Sequence, residues 1–488
     1  MNYRMIAFTV GRILLVEAAL LLLPLAVALG YDESTTPFAA PIILLLAAGV
    51  LLSGSKPRQT VLYARDGFAV VALAWLLMSA FGALPFVISG DIPNYVDAFF
   101  ETVSGFTTTG ATLLKDVESL SRSGLLWRSF THWVGGMGVL VFVMAVIPMT
   151  DARGMHLLRA EMPGPTAGKL VSRMSDTAKI LYGIYFAMTV VLTILLLLGG
   201  MNLYDAAIHA FGTAGTGGFS NRAASVGAYN SLYLEVVIGI FMLLFGINFN
   251  LYYFLLVRRF RDVFRSEELQ VYLGVVVAAV ALITLDITRV YGTVGPALRS
   301  AFFQVASVIT TTGYATADFN LWPSFSQGVI LILMFIGGCA GSTGGGFKVV
   351  RVVTLIKSSI NDLKRMLHPN AVLTVRVEGK PLSDRGVRRV QTYLALYTML
   401  VAASFLLLCL EGFDLITTFT AVFTCINNVG PGLGMVGPSG NFAAFSVGGK
   451  LLLAFDMLVG RLEIFPMILL FAPSIWKRGV VRGRGSRE

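Results

Sequence analysis

The stretch Ile309-Thr310-Thr311-Thr312-Gly313-Tyr314 (ITTTGY) is polar, β-branched and glycine-punctuated, yet it sits in a strongly apolar chain. No ordinary membrane helix has that composition. Irregular backbone at membrane depth is tolerated only where protein or a water-filled cavity surrounds it. Thr-x-Gly followed by an aromatic residue suits a cation filter, in which backbone carbonyls replace the ion's hydration shell and a threonine hydroxyl adds an oxygen. A glycine at 313 lets carbonyls point inward at dihedral angles that a β-carbon forbids.

Working outward, the pattern recurs. Ala98–Ala111 (AFFETVSGFTTTGA) and Ala301–Tyr314 (AFFQVASVITTTGY) match at 8 of 14 positions without a gap. A second loop, Gly215–Ser220 (GTGGFS), joins by register: Asp97 lies 13 residues before Gly110, and Asp205 lies 13 before Gly218. That selects Gly218, not Gly217, as the equivalent glycine and puts Phe219 where the third loop has Tyr314. The fourth and most divergent loop is Cys425–Gly434 (CINNVGPGLG). Repeats of this length in a membrane chain imply parallel units around an axis along the membrane normal.

The whole chain is compatible with that reading. Its 488 residues are 56% hydrophobic and 13% charged, with mean hydropathy +0.77, too apolar for a soluble globular protein. Ten stretches are long enough to span a bilayer, at about 20 apolar residues each. The net charge of +10 would suggest nucleic acid in a soluble protein. Here basic clusters recur in alternate loops: Lys56, Arg58 and Arg65; Arg153 to Arg173; Arg258, Arg259 and Arg261; Lys357 to Arg376; Lys477 to Arg487. The loops between them carry Asp32, Glu33, Asp91, Asp116 and Glu118. This positive-inside pattern predicts two cytoplasmic termini and assigns the charge to topology rather than to nucleic acid. Three cysteines and four histidines form neither a disulfide framework nor a metal set.

The expected fold is an all-α membrane protein. Four pseudo-symmetric repeats of helix, re-entrant pore helix, filter loop and helix surround one pore, behind two extra N-terminal transmembrane helices. The divisions fall at 1–60 for those helices, 61–150 for the first repeat, and 151–265 for a cytoplasmic loop and the second. They continue with 266–365 for the third, its inner helix broken, and 366–488 for the fourth and a basic tail. The return helices are expected at 125–149, 230–257, 321–360 and 446–475.

Four quasi-equivalent loops make a ring of carbonyls. The candidate oxygens are those around Thr108-Thr109-Gly110, Thr216-Gly217-Gly218, Thr311-Thr312-Gly313 and Asn428-Val429-Gly430. Each re-entrant helix would end just before its loop and turn its partly negative end toward the cavity, which favours a cation. The competing reading is small-residue helix packing, common in membranes, but it does not account for four matched loops behind four short helices. Asp97 and Asp205 are expected to cap their pore helices. Asp116 and Glu118 would lie at the outer mouth.

These motifs resemble the TrkH/TrkG branch of the superfamily of potassium transporters, which also holds KtrB and the plant HKT proteins. The resemblance runs over residues 1–488 and rests on the four loops, Gly337–Arg351 (GGCAGSTGGGFKVVR) and Gly460-Arg461-Leu462-Glu463. It implies potassium uptake at the cell inner membrane, a homodimer of separate pores, and a cytoplasmic nucleotide-binding regulatory subunit of the TrkA type. Potassium would be the transported ion, held at the filter residues.

Six glycines in Gly337–Gly346 are poor material for a continuous helix. The resemblance makes Gly341, Ser342, Thr343, Gly344, Gly345 and Gly346 an intramembrane gate below the filter, with Lys348; the alternative is a glycine-softened kink. Arg461, inside the last apolar helix, would be an electrostatic barrier to cations, or else an ion-pair partner of Asp456 or Glu463. Gly341–Lys348 is not a phosphate loop, because Gly346 is followed by Phe347 rather than lysine, and no nucleotide site is expected in this chain. His209 beside Asp205 reads as a local hydrogen bond, and His132 as a packing residue. Only the third loop keeps Thr-x-Gly-Tyr; Ala111, Phe219 and Pro431 replace the tyrosine elsewhere. The outer part of the filter should therefore be irregular, with weaker discrimination than a symmetric channel. The alternative function is a symporter coupling potassium to sodium or protons. An enzyme is not expected, for want of a nucleophile–base pair.

Overall fold

The computed structural model describes residues 1–54, 64–138 and 174–471. The basic residues at 56–58, 153–173 and 477–487, the connector from 150 to 173, and the far end of the first return helix lie outside them. Among the described residues the chain is helical apart from loops and one two-stranded hairpin, Arg376–Val377 with Lys380–Pro381.

Among the described residues six helices are long and apolar enough to cross a membrane, against ten expected stretches. The other four are the return helices: the second, third and fourth break, and the far end of the first lies outside the described residues. The first runs Arg122–Gly136. The second is Leu232–Phe245 and Phe249–Leu256, bent by 92°. The third is Ser324–Ile336 and Val349–Leu367 with the glycine loop between them. The fourth is Val447–Arg461 and Phe465–Phe471. The straight spans expected over 230–257 and 446–475 are thus corrected. The local signals are Gly246 to Asn248 in one and Gly460 to Glu463 in the other, where Glu463 and Ile464 adopt positive φ.

The two leading helices, Tyr3–Leu20 and Thr36–Ser53, form a hairpin beside the first repeat. They meet where Gly11 faces Gly49: a β-carbon at Gly11 would lie 2.9 Å from the Gly49 carbonyl oxygen. Small residues at that crossing let backbones approach, which is how helices pack without a hydrophobic driving force between them. The outside is apolar, and the interior, largely apolar too, gathers buried polar side chains at the loops. Leu51, Leu198 and Leu285 are 74–84% exposed, whereas Thr107, Thr108, Thr311 and Thr312 are fully buried.

The pore helices are Tyr95–Phe106, Leu203–Gly215, Val294–Ile309 and Leu415–Asn427. At about 1.5 Å per residue none reaches across a hydrocarbon core of about 30 Å. Their caps correct one expectation. Asn94 and Asn202, not Asp97 and Asp205, accept the first free N–H groups, and Asp414 does so for the fourth helix. Asp97 instead pairs with Lys450 at 2.8 Å. Asp205 accepts hydrogen bonds from Asn221, Arg222 and Tyr229.

Candidate functional site

All four pore helices end in the same hydrogen-bonded turn. The N–H groups of Thr108, Thr216, Thr311 and Asn428 donate three residues back, to Gly105, Thr213, Val308 and Cys425, at 3.0–3.2 Å. Those of Thr109, Gly217, Thr312 and Val429 donate five back, to Ser104, Gly212, Ser307 and Thr424, at 2.8–3.0 Å. This is the Schellman pattern, which needs a left-handed residue after the helix. Glycine is the usual choice. Here Thr108, Thr216, Thr311 and Asn428 take it, with φ between 54° and 58°. Such strain costs on the order of 1 kcal/mol per residue and gathers where function over-determines the backbone. The sequence reading missed it, because it looked for unusual backbone only at glycine.

Two residues on, Gly110, Gly218, Gly313 and Gly430 have φ between 79° and 98°. Each also lies against the next loop. A β-carbon at Gly110 would overlap the Gly217 carbonyl oxygen, at Gly218 that of Thr312, and at Gly313 that of Val429. One at Gly430 would lie 2.7 Å from the carbonyl oxygen of Thr109, which closes the circle. The loops therefore form a ring in chain order, and the register that selected Gly218 is the register of the contacts. A cavity of about 190 Å³ opens above the ring and touches all four of these glycines. With four helix C-termini behind it, such a ring of carbonyls favours a positive charge.

Two of the sequence's weaker candidates support the ring from behind. The His132 ring, fully buried, packs against Gly217 and Phe219, and its Nδ1 lies 2.7 Å from the Gly105 oxygen. His209 bonds to the Asp205 carbonyl at 2.8 Å and to Ser220 Oγ at 3.0 Å. Two others were not foreseen. Arg128, 3% exposed, donates to Glu101 at 2.7 Å and to the Ser220 carbonyl at 3.1 Å, with its guanidinium 3.4 Å from the centre of the Phe219 ring. At the mouth, burial pushes the Tyr229 phenol up, and its hydroxyl donates to Asp205 Oδ2 at 2.9 Å. Glu118 accepts the Ala223 N–H, while Asp116 is exposed.

Below the ring, residues 337–348 are non-helical and seat directly against it. The Gly345 N–H donates to Thr311 Oγ1 at 2.6 Å and the Gly346 N–H to the Asn427 carbonyl at 3.0 Å. A β-carbon at Gly344 would lie 3.0 Å from the Thr310 carbonyl oxygen. The same segment fills the break in the second return helix. Cys339 N–H and Thr343 N–H donate to the Gly246 and Phe245 carbonyls, and Phe249 N–H to that of Gly341. Helix ends leave backbone groups without partners, and in a membrane they must find some. Here two broken helices satisfy each other. Ser342 turns back to the Cys339 carbonyl at 2.6 Å. Lys348 is buried and its ammonium donates to the Gly344 carbonyl.

Arg461 ends the helix Val447–Arg461 rather than lying inside a longer one. It donates to the carbonyls of Thr343, at 2.8 Å, and of Gly135 and Gly136, at 2.5 and 2.7 Å. The first, third and fourth return helices therefore meet at this guanidinium. Its alternative partners are engaged elsewhere: Asp456 accepts from Ser404 at 2.8 Å, and Glu463 pairs with Arg351.

The comparisons agree with this architecture. The TrkH family, described as cation transport proteins, matches residues 34–478. The Trk system potassium uptake protein TrkH of Salmonella typhimurium is 39% identical over 98% of this chain and 100% of its own. The Trk system potassium uptake protein TrkG of Escherichia coli is 35% identical over 98% and 99%. The crystal structure of the potassium transporter TrkH from Vibrio parahaemolyticus superposes with a TM-score of 0.88 at 34% identity, covering 98% of this chain and 100% of that one. With a family match across most of its length and a fold that superposes on a solved TrkH structure over nearly the whole chain, the chain belongs to the TrkH family of cation transport proteins.

Proposed function

We propose that the chain is a potassium uptake protein that passes the ion through the four-loop ring and gates it with the glycine loop. The relatives named as potassium uptake proteins support the choice of ion. The observation that carries the pathway is the closed circle of glycine-on-carbonyl contacts, which brings Thr109, Gly217, Thr312 and Val429 to one level. Potassium sheds its water against these carbonyls and their neighbours at Thr108, Thr216, Thr311 and Asn428. Gly341 to Gly346, with Lys348 behind them, block the exit in the seated arrangement. The Arg461 charge raises the barrier to a cation beneath the ring.

The alternation of basic and acidic loops supports a mouth facing outward, both termini in the cytoplasm and, for a bacterial Trk system, insertion in the inner membrane. A system name implies more than one component. A homodimer and a TrkA-type nucleotide-binding subunit on the basic face complete the reading.

Uptake of radioactive rubidium into potassium-loaded proteoliposomes tests it. Potassium outside should compete better than sodium, and Gly313→Ser, whose side chain meets the Val429 carbonyl, should abolish uptake. Uptake that requires an imposed sodium or proton gradient would replace the pore with a symporter.

A further inference from the structure

The glycine loop is held from behind by a carboxylate outside both ring and loop. Glu268 sits in the first turn of the spanning helix Glu267–Tyr291 and is 6% exposed. Its Oε1 accepts the N–H of Ala340 at 2.7 Å, and the N–H of Val350 faces the same carboxylate. Ala340 lies near the start of the break, and Val350 is the second residue of the helix Val349–Leu367 that ends it. One side chain therefore bonds the near side of the break between Ile336 and Val349 and faces its far side.

The second helix needs that grip. Its N-cap is Lys348, which makes no capping bond, and its first turn contains no acidic residue. A helix N-terminus favours negative charge, and an ammonium beside it is the wrong sign. Glu268 supplies, from another helix of the same repeat, the carboxylate acceptor that the local sequence lacks.

Glu268 is in turn fixed from the surface. Glu378, in the turn of the Arg376–Pro381 hairpin, accepts Ser266 Oγ at 2.9 Å, the Glu268 N–H at 3.0 Å and the Glu267 N–H at 3.3 Å. Lys357, on the helix that follows the loop, donates to the Arg376 carbonyl at 2.8 Å and pairs with Glu267. The hairpin thus clamps the two helices that meet at Glu268.

We propose that Glu268 is the positioning residue that keeps the glycine loop seated under the ring, and that the Arg376–Pro381 hairpin holds Glu268 in place through Glu378. The inference rests on the gating role proposed for that loop. Withdrawal of the loop breaks the Ala340 bond and moves Val350 away from the same carboxylate. A buried N–H left without its acceptor is costly, so removing the Glu268 carboxylate shifts the balance toward the unseated arrangement. A surface element reaches the gate in two steps, without passing through the ring.

The test is rubidium uptake by the full chain in proteoliposomes, with no other protein added. Glu268→Ala should raise uptake about tenfold, the scale of one buried N–H left without its acceptor. Glu268→Gln keeps the shape and one acceptor oxygen, so it should raise uptake less; Glu378→Gln, one step removed, should raise it least. Potassium should still compete better than sodium in all three, because the ring is untouched. A chain lacking Gly344 and Gly345 runs beside them as the control for the gate itself. Uptake at or below the parent's in Glu268→Gln and Glu378→Gln, with unchanged melting and elution, overturns the proposal. So does a rise accompanied by lost preference for potassium, which would mean that Glu268 acts on the ring. If the shortened loop opens and the glutamate variants do not, Glu268 has no role and the gate stands. If the shortened loop also stays at the parental level, the gating reading falls and takes this inference with it.

Discussion

At their inner ends the four loops are interchangeable in backbone, whereas their outer ends are held in three different ways. The inner ends share one left-handed residue, one pair of hydrogen bonds and one glycine under the neighbouring carbonyl. Outside that level, Thr112 and Leu113 bind Glu101, and Phe219 lies under Arg128. The Tyr314 carbonyl takes the Ser307 hydroxyl at 2.7 Å, and the Pro431 carbonyl takes that of Thr424 at 3.2 Å. The equivalents of Ser307 in the first two loops do no such work: Ser104 Oγ has no hydrogen-bond partner among the described residues, and Gly212 has no side chain. The difference shows which part of the site depends on main chain and which on side chain. A ring of main-chain carbonyls tolerates threonine or asparagine at the strained position, provided the backbone closes. The outer ends depend on particular side chains: the third and fourth loops share a hydroxyl-to-carbonyl bond, and the first two use other means.

Three experiments would break or sharpen this contrast. If the inner ends form one ring, then Gly110→Ala, Gly218→Ala, Gly313→Ala and Gly430→Ala should be equally damaging. Each places a β-carbon against a carbonyl at positive φ, and each should cut rubidium uptake by more than about tenfold. One tolerated alanine would remove that loop from the ring. The next effect concerns the first two loops alone. Arg128→Ala leaves Glu101 buried without its partner, a change that costs about 3–5 kcal/mol at such pairs. Thermal unfolding in detergent should fall sharply, and sodium should compete better in whatever uptake survives. The smallest effect separates Ser307 from Ser104. Ser307→Ala removes the bond to the Tyr314 carbonyl and should cost about 1 kcal/mol, with a modest loss of preference for potassium. Ser104→Ala, at the equivalent place, should change neither, because its hydroxyl holds nothing. Equal effects would show that all four outer ends are built alike.

Much of this was legible in the residues. The repeat, its register at Gly218 and the short re-entrant helices follow from Thr, Gly and Phe at fixed intervals in an apolar chain. The break at 337–348 follows from its glycines. The break at Gly246 to Asn248 was not read, since one glycine and one asparagine inside an apolar run look like a tolerated flaw. Its cause lies in the glycine loop that fills it, about a hundred residues away in the chain. The caps were misassigned for a simpler reason: Asn94 and Asn202 stand three residues before the aspartates, and both residue types cap well. Glu268 gave no signal, because an acid at the start of a helix is ordinary wherever it points.

By itself the sequence determined that the chain spans a membrane, that four equivalent loops interrupt it, and that each loop needs a glycine at one position. These are properties of composition and spacing, which act locally. Only the tertiary structure decided that the loops close in chain order, that threonine or asparagine rather than glycine carries the left-handed turn, and that Arg461, Glu268 and Arg128 have the partners they have. Those outcomes depend on backbone groups from distant repeats that must satisfy one another where no water is available.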